Sequence, residues 1–169
     1  MQAFKAINLF ALAALIGIEL FLGIAVAKII FYAPAPTANG ALVDMLARGT
    51  LMTAIFVALG YAMSVISVLN LLYALAAIRE NSSTKQKISK ILLATLNLAL
   101  SLLFFLYYTR QIALTQEAVA QGLQSIEVFA SAEFRAFHTQ SERLVKVLVV
   151  LQMVLFFMTF RSPKGEAKI

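Results

Sequence analysis

The sequence predicts an all-α fold: an integral membrane four-helix bundle whose helices 3 and 4 extend beyond the membrane as an outer hairpin. Hydrophobic residues make up 62% of the 169 residues and charged residues only 13%, whereas soluble domains are about half apolar and about a quarter charged. Four segments approach or exceed the roughly 20 apolar residues that a helix needs to cross a membrane. Because these segments are apolar on every side, they do not show the alternating polarity of barrel strands.

The four predicted helices follow one another with short connections. The first is interrupted only by Asn8, Glu19 and Lys28, and the second contains no charged residue. The third and fourth are each closed by an arginine, Arg110 and Arg161. A chain of this length holds one compact bundle, so a single membrane domain is predicted over residues 1–169. The approximate limits of the membrane helices are 6–32, 49–78, 88–109 and 144–160.

The first segment also has features of a secretory signal, since Lys5 precedes its apolar run and the small residues APAPTA follow it. We reject this interpretation because the run is about twice the usual length of a signal sequence and contains Glu19. The prolines and Asn39-Gly40 are expected to end the first helix. Residues 41–47 then predict a short interfacial helix before the second membrane helix.

Residues 110–143 are predicted to form the outer helical hairpin. They contain no proline and one glycine, Gly122, and their apolar or small residues recur at spacings of three and four, which is typical of helices. We place the turn between Gly122 and Ser131, with Ser125 or Ser131 as the cap of the next helix. A turn at the glycine itself would draw the following basic residues roughly 14 to 18 Å into the membrane.

Charge in the loops predicts the orientation, because cytoplasmic loops carry an excess of lysine and arginine. The loop RENSSTKQKISK has four basic residues against one glutamate, whereas residues 110–143 have three arginines against four glutamates. Both termini are therefore predicted to be cytoplasmic, in a bacterial inner membrane. The net charge of +6 fits this orientation and a lipid surface, and no nucleic-acid partner is expected.

Polar residues within the membrane segments form a candidate intramembrane site of Glu19, Asn70, Asn97 and Gln152. Glu19 lies near the midplane, and ionisable groups at this depth face a partner or a cavity. The three amides lie six to eight residues from the cytoplasmic ends of their helices, about 9 to 12 Å deep. Along the third helix, the spacing puts Ser101 and Tyr108 on the same face as Asn97.

Two interpretations of these residues are open. Interhelical hydrogen bonds hold membrane bundles together, so the polar residues are expected first of all to join helices. Alternatively, they line a polar cavity for a proton, an ion or a small polar molecule, with Glu19 as the protonatable group. This second interpretation predicts a small transporter or an ion-conducting oligomer.

The only histidine, His138, is interpreted as a residue that orients the hairpin through hydrogen bonds to Glu142 or to the facing helix. Metal handling and a pH-sensitive switch are the alternatives. One histidine with one carboxylate leaves a zinc or copper site short of ligands, so neither a metal nor another cofactor is predicted. With no cysteine and no phosphate-binding or dinucleotide motif, no catalytic residue is assigned and no enzymatic activity is expected.

The stretch GIELFLGIAVAKIIFYAP and the pair His138-x-x-Ser141, preceded by two phenylalanines, resemble motifs of the transmembrane-protein-205-like family. Its members are small four-helix membrane proteins. The resemblance implies His138 and Ser141 at the outer end of the last helix, and it implies no reaction. Val145 stands where the family often has asparagine, and Glu19 where many members have an uncharged residue.

The leading expectation is therefore a non-enzymatic binding or accessory protein of the membrane. Its expected partners are membrane lipid and, through the outer hairpin, a protein partner or a second copy of the chain. The apolar positions of the hairpin are Val119, Leu123, Ile126, Phe129, Phe134 and Phe137.

Overall fold

The structure, a computed structural model, describes residues 2–32, 41–79 and 83–161. Four helices in these ranges are long and apolar enough to cross a membrane, and no strand occurs in them. The chain is therefore an all-α integral membrane protein, which confirms the predicted fold class. Large apolar side chains such as Phe10, Ile29, Val65 and Leu92 are exposed on the outside of the bundle, where they contact lipid.

Two of the four helices contain a π-helical turn. Helix α1 covers residues 2–32 as Gln2–Phe21, the π-helical turn Leu22–Val26, and Ala27–Tyr32. Helix α2 covers Ala41–Ala76 and ends in a 3₁₀ turn, Ala77–Arg79. Helix α3 covers residues 84–120 as Thr84–Leu103, the π-helical turn Phe104–Thr109, and Arg110–Ala120. Helix α4 is Ala132–Phe160, preceded by a 3₁₀ turn, Ile126–Ala130.

The start of α2 differs from the prediction. Residues 41–47 are not a separate interfacial helix, because α2 runs without a break from Ala41 to Ala76. Gly49, which follows residues 41–47, destabilises the helix by only about 1 kcal/mol relative to alanine and does not end it. The glycine also allows a close approach between helices, since a Cβ built there would lie 3.2 Å from Nε2 of Gln116 on α3.

The turn between α3 and α4 lies in the predicted region. Gly122 has a φ of 73°, in the left-handed region that favours glycine. The hydroxyl of Ser131 accepts a hydrogen bond of 3.1 Å from the backbone N–H of Phe134 and so caps α4. Ser125 caps the preceding 3₁₀ turn in the same way. The segment Arg110–Ala120 extends α3 by about 16 Å beyond its π-helical turn.

The helices form a ring in chain order, in which α1 packs against α2 and α4, and α3 packs against the same two helices. Two apolar clusters fill the interior. One contains Leu12, Ala74, Ala94 and Leu155. The other, called the central cluster below, contains Leu15, Leu59, Met63, Phe104 and Leu148.

Candidate functional site

The structure brings two of the predicted site residues into direct contact. The side-chain Nε2 of Gln152 on α4 donates a hydrogen bond of 2.9 Å to Oε1 of Glu19 on α1. Both side chains are buried. The central cluster lies beside Glu19, since Leu15, four residues before it, belongs to the cluster and Leu22, three residues after it, packs against the cluster. The carboxyl group therefore lies in an apolar surrounding where one amide supplies its hydrogen bond.

The other two predicted residues belong to separate hydrogen-bonded groups. Nδ2 of Asn97 donates to the hydroxyl of Ser67 over 2.9 Å, and this hydroxyl lies 3.0 Å from that of Ser101. Nδ2 of Asn8 donates to Oδ1 of Asn70 over 3.3 Å. The first group joins α2 to α3, and the second joins α1 to α2. The sequence marks Asn8 only as an interruption of the first helix, and the predicted site does not include it.

The buried carboxyl and amide groups have more hydrogen-bonding capacity than these contacts use. Within the part of the chain that the structure describes, five of their atoms are inaccessible and have no partner: Glu19 Oε2, Gln152 Oε1, Asn97 Oδ1, Asn8 Oδ1 and Asn70 Nδ2. Buried polar atoms are nearly always bonded, so each exception asks for an explanation. The unused atoms favour a role in addition to joining helices.

The two π-helical turns lie close to Glu19. The turn Leu22–Val26 begins three residues after it, and Phe104, which begins the other turn, belongs to the central cluster against which Leu22 packs. In the second turn, the hydroxyl of Thr109 donates to the backbone carbonyl of Phe104 over 3.1 Å. Such turns occur mostly as single-turn insertions in α-helices, frequently at functional sites.

A second candidate site is a cavity of about 440 Å³, called the outer cavity below, at the end of the bundle that carries the hairpin. Residues of α1, α2, α3, the 3₁₀ turn and α4 line it. Four phenylalanines line it: Phe31, Phe56, Phe129 and Phe134. Its charged lining residues, Glu127 and Arg135, are exposed to solvent, so the enclosed part of the cavity is mostly apolar.

His138 and Ser141 lie in the outer part of α4. Nε2 of His138 is 3.4 Å from Oε1 of Glu142, and the imidazole stacks parallel to the ring of Phe134 with 6.4 Å between centroids. The hydroxyl of Ser141 donates to the backbone carbonyl of His138 over 2.7 Å. In the described ranges, no group of three histidine, cysteine, aspartate or glutamate residues is arranged to hold a metal ion.

Most apolar positions of the hairpin face inward or contact one another. Phe129 packs against Phe134, with ring centroids 5.1 Å apart, and Phe137 packs against Tyr108 at 4.9 Å. Leu123, at the turn, is 74% exposed. The predicted apolar stripe therefore serves mainly to hold the hairpin together.

The fold and its buried polar residues define an integral membrane protein built from four helices. The chain belongs to the family described as "Domain of unknown function (DUF4149)", whose profile matches residues 10–121. The match covers Glu19, Asn70 and Asn97 and ends before α4, so the segment His138-x-x-Ser141 lies outside it. No curated protein and no solved structure matches the chain.

The contact between Glu19 and Gln152 yields a prediction about stability. Gln152→Leu removes the donor and leaves the carboxyl group buried, so we expect the free energy of unfolding to fall by about 1–3 kcal/mol. Combining it with Glu19→Leu removes both polar groups, and we expect most of that loss to be recovered. Denaturant unfolding in detergent micelles measures both effects.

The lipid-facing change Val147→Leu is the control, because Val147 is exposed on the same helix, and it should leave stability unchanged. A double variant as unstable as Gln152→Leu alone would show that the unpaired carboxyl group is not the cause of the loss.

Proposed function

We propose that the protein is a non-enzymatic binding protein of the membrane and that the outer cavity is its binding site. The observation that carries this proposal is the cavity itself, which has a volume of about 440 Å³ and an aromatic lining. Small-molecule sites have volumes of about 300–1,000 Å³ and are mostly apolar. The ligand would be held by burial of its apolar surface.

The length of the hairpin supports this assignment. Helices that are neighbours in a bundle are usually joined by about 2–8 residues. Here α3 continues through Arg110–Ala120, and the chain then adds a turn, the 3₁₀ segment Ile126–Ala130 and the first turns of α4. Crossing the membrane does not require this extra structure, and the outer cavity is what it encloses.

The proposal also covers the type of membrane and the orientation of the chain in it. Nζ of Lys5 lies 3.5 Å from the backbone oxygen of Phe160, so the start of α1 and the end of α4 are on one side. Lys85, Lys87 and Arg161 are at this end of the bundle, and such an excess of basic residues favours the cytoplasmic side. We therefore propose cytoplasmic termini in a bacterial inner membrane, with the outer cavity on the opposite side.

A protein partner or a second copy of the chain is a smaller part of the proposal. Because most of the apolar stripe packs within the hairpin, Leu123 is the exposed apolar residue that such a partner would contact. An accessory role would then depend on the turn of the hairpin, whereas ligand binding depends on the cavity behind it.

Kinship with the transmembrane-protein-205-like family is also proposed. The first helix and the segment His138-x-x-Ser141, at the outer end of α4, support it. Finding the same H-x-x-S segment beyond the matched residues in other members of this chain's family would test the kinship, and its general absence there would contradict it.

A second candidate function is transport of a proton or a small cation through the bundle. The observation that favours it is the set of five buried polar atoms without partners. Glu19 would be the group that takes up and releases the proton or coordinates the cation, because intramembrane carboxyl groups mark such pathways.

Cavity filling tests the leading function. Ala130 lines the outer cavity, so Ala130→Phe should reduce binding of the neutral dye N-phenyl-1-naphthylamine at least about tenfold, since a phenyl ring at this lining position takes up the ligand's space. Ala136→Phe adds the same ring on an exposed part of α4 and should leave binding unchanged. Native mass spectrometry of the purified protein counts bound dye. Equal, low retention by wild type and both variants would contradict a binding cavity.

Flux tests the second candidate. Glu19→Gln keeps the size of the side chain and its hydrogen bond to Gln152 but cannot exchange a proton, so proton flux into liposomes should fall at least about tenfold if Glu19 lies on the pathway. Gln152→Glu serves as a second variant, because it changes the hydrogen-bond partner of Glu19. Unchanged flux in Glu19→Gln would remove transport through Glu19 from consideration.

Labelling tests the orientation. The chain contains no cysteine, so a single introduced cysteine is the only thiol. A membrane-impermeant maleimide should label Gln124→Cys, at the turn of the hairpin, in spheroplasts. Gln86→Cys, near the start of α3, should react only after permeabilisation. The reverse pattern would contradict cytoplasmic termini.

A further inference from the structure

Two polar side chains face the outer cavity without using their hydrogen-bonding groups. Thr53 on α2 is 8% exposed and Gln116 on α3 is 9% exposed, and both line the cavity. Neither makes a hydrogen bond with any other described residue. Their polar atoms are not among the inaccessible ones, so what exposure remains to them opens into the cavity. Because these polar atoms stay accessible and unpaired, they are available to hydrogen-bond a molecule that enters the cavity.

The two side chains converge on one part of the wall. Gly49 lies against the amide of Gln116, at 3.2 Å from Nε2 to a Cβ built on the glycine. Thr53 follows Gly49 by four residues and so lies one turn along the same face of α2. The amide and the hydroxyl are therefore about one helical turn apart, and both can reach a single polar group of a ligand.

The chemistry of these groups specifies the ligand. The amide offers two donors and an acceptor, and the hydroxyl offers one donor and two acceptor lone pairs, all uncharged. Neither group carries a charge, and the charged lining residues, Glu127 and Arg135, are exposed to solvent, so the pair suits an uncharged polar group, which costs less to bury than an ion. A carbonyl or hydroxyl oxygen fits them, with the rest of the molecule against the aromatic walls.

We propose that the outer cavity binds a neutral, lipid-soluble molecule through a carbonyl or hydroxyl group that is hydrogen-bonded to Thr53 and Gln116. This assignment rests on the proposed binding function and names its ligand class. Gln116 lies six residues beyond Arg110, which closes the membrane part of α3, or about 9 Å along the helix axis. The cavity is thus next to the interfacial region, where lipid-soluble molecules are available to it.

Photolabelling with benzophenone, a neutral diaryl ketone, tests the assignment on the full chain in phosphatidylcholine nanodiscs. Its excited carbonyl reacts readily with methionine, and the chain provides an internal comparison. Met52 lines the cavity and is 4% exposed, whereas Met153 is 40% exposed on the outside of the bundle. Peptide mass spectrometry gives the labelling of both residues. We expect saturable labelling of Met52 and unsaturable labelling of Met153.

Two competitors of similar size separate apolar binding from recognition of the oxygen. Benzanilide carries a carbonyl group, and diphenylmethane has two phenyl rings and no oxygen. We expect benzanilide to suppress labelling of Met52 at a concentration about tenfold lower than diphenylmethane does. The hydrocarbon leaves the amide of Gln116 and the hydroxyl of Thr53 unpaired. In Gln116→Leu and Thr53→Val this preference should shrink to about twofold or less. The control is Thr50→Val, because the hydroxyl of Thr50 donates to the backbone carbonyl of Leu46 on the same helix. This variant should keep the preference for benzanilide.

The outcomes distinguish the ligand class from the binding function. If Met52 is labelled saturably but both competitors act equally in the wild type, the ligand class is wrong and the cavity still binds apolar molecules. If the preference survives in Gln116→Leu and Thr53→Val, the two side chains do not recognise the oxygen. If Met52 is not labelled while Met153 is, both the ligand class and the proposed binding function are overturned.

Discussion

The hydrocarbon interior of a membrane supplies no water to polar side chains, and this constraint decides how the four helices meet. Several buried polar groups therefore pair with a group on another helix. The contact from Gln152 to Glu19 sets α4 against α1, Asn8 with Asn70 sets α1 against α2, and the contacts of Asn97 and Ser67 set α2 against α3. At the remaining interface, between α3 and α4, Tyr108 packs against Phe137 and its hydroxyl donates to Oε1 of Gln140 over 3.4 Å, while Ala94 and Leu155 share an apolar cluster.

The π-helical turn in α3 connects this polar interior to the outer cavity. A residue inserted in one turn rotates everything after it by about 100° relative to an uninterrupted helix. The inward positions of α3 accordingly run through 97, 101, 104, 109, 112 and 116, with a step of five at the turn. Without it, Gln116 would point away from α2. The face of α3 that bonds to Ser67 in its first half therefore continues as the face that lines the outer cavity.

The sequence is sufficient to predict the fold class, because a high apolar content and long unbroken apolar segments directly indicate membrane-spanning helices. The cap at Ser131 also follows from a local rule. The face of α3 beyond the turn does not, since regular spacing from Asn97 and Ser101 leads to Tyr108, whereas the buried residue is Thr109. Nothing in a run as apolar as FFLYYT marks an inserted residue.

The outer cavity could not be predicted from sequence for a different reason. Its walls come from four helices and a 3₁₀ turn, and residues as distant along the chain as Phe31, Thr53, Gln116 and Phe134 share it. Each of them fits an ordinary helix in isolation. Gln116 has a polar side chain in a solvent-side extension, where exposure is the usual outcome, and only the approach of α2 at Gly49 buries it.

The packing between the two candidate sites favours binding over transport. Phe56 is a wall of the outer cavity, and its ring packs edge-on against Phe104 with 6.0 Å between centroids. Phe104 belongs to the central cluster, which lies beside Glu19. A path for a proton or cation from Glu19 to the cavity along these residues would separate the two rings and lose their apolar contacts. A neutral ligand in the outer cavity requires no such rearrangement, because the cavity and its two polar groups are already formed.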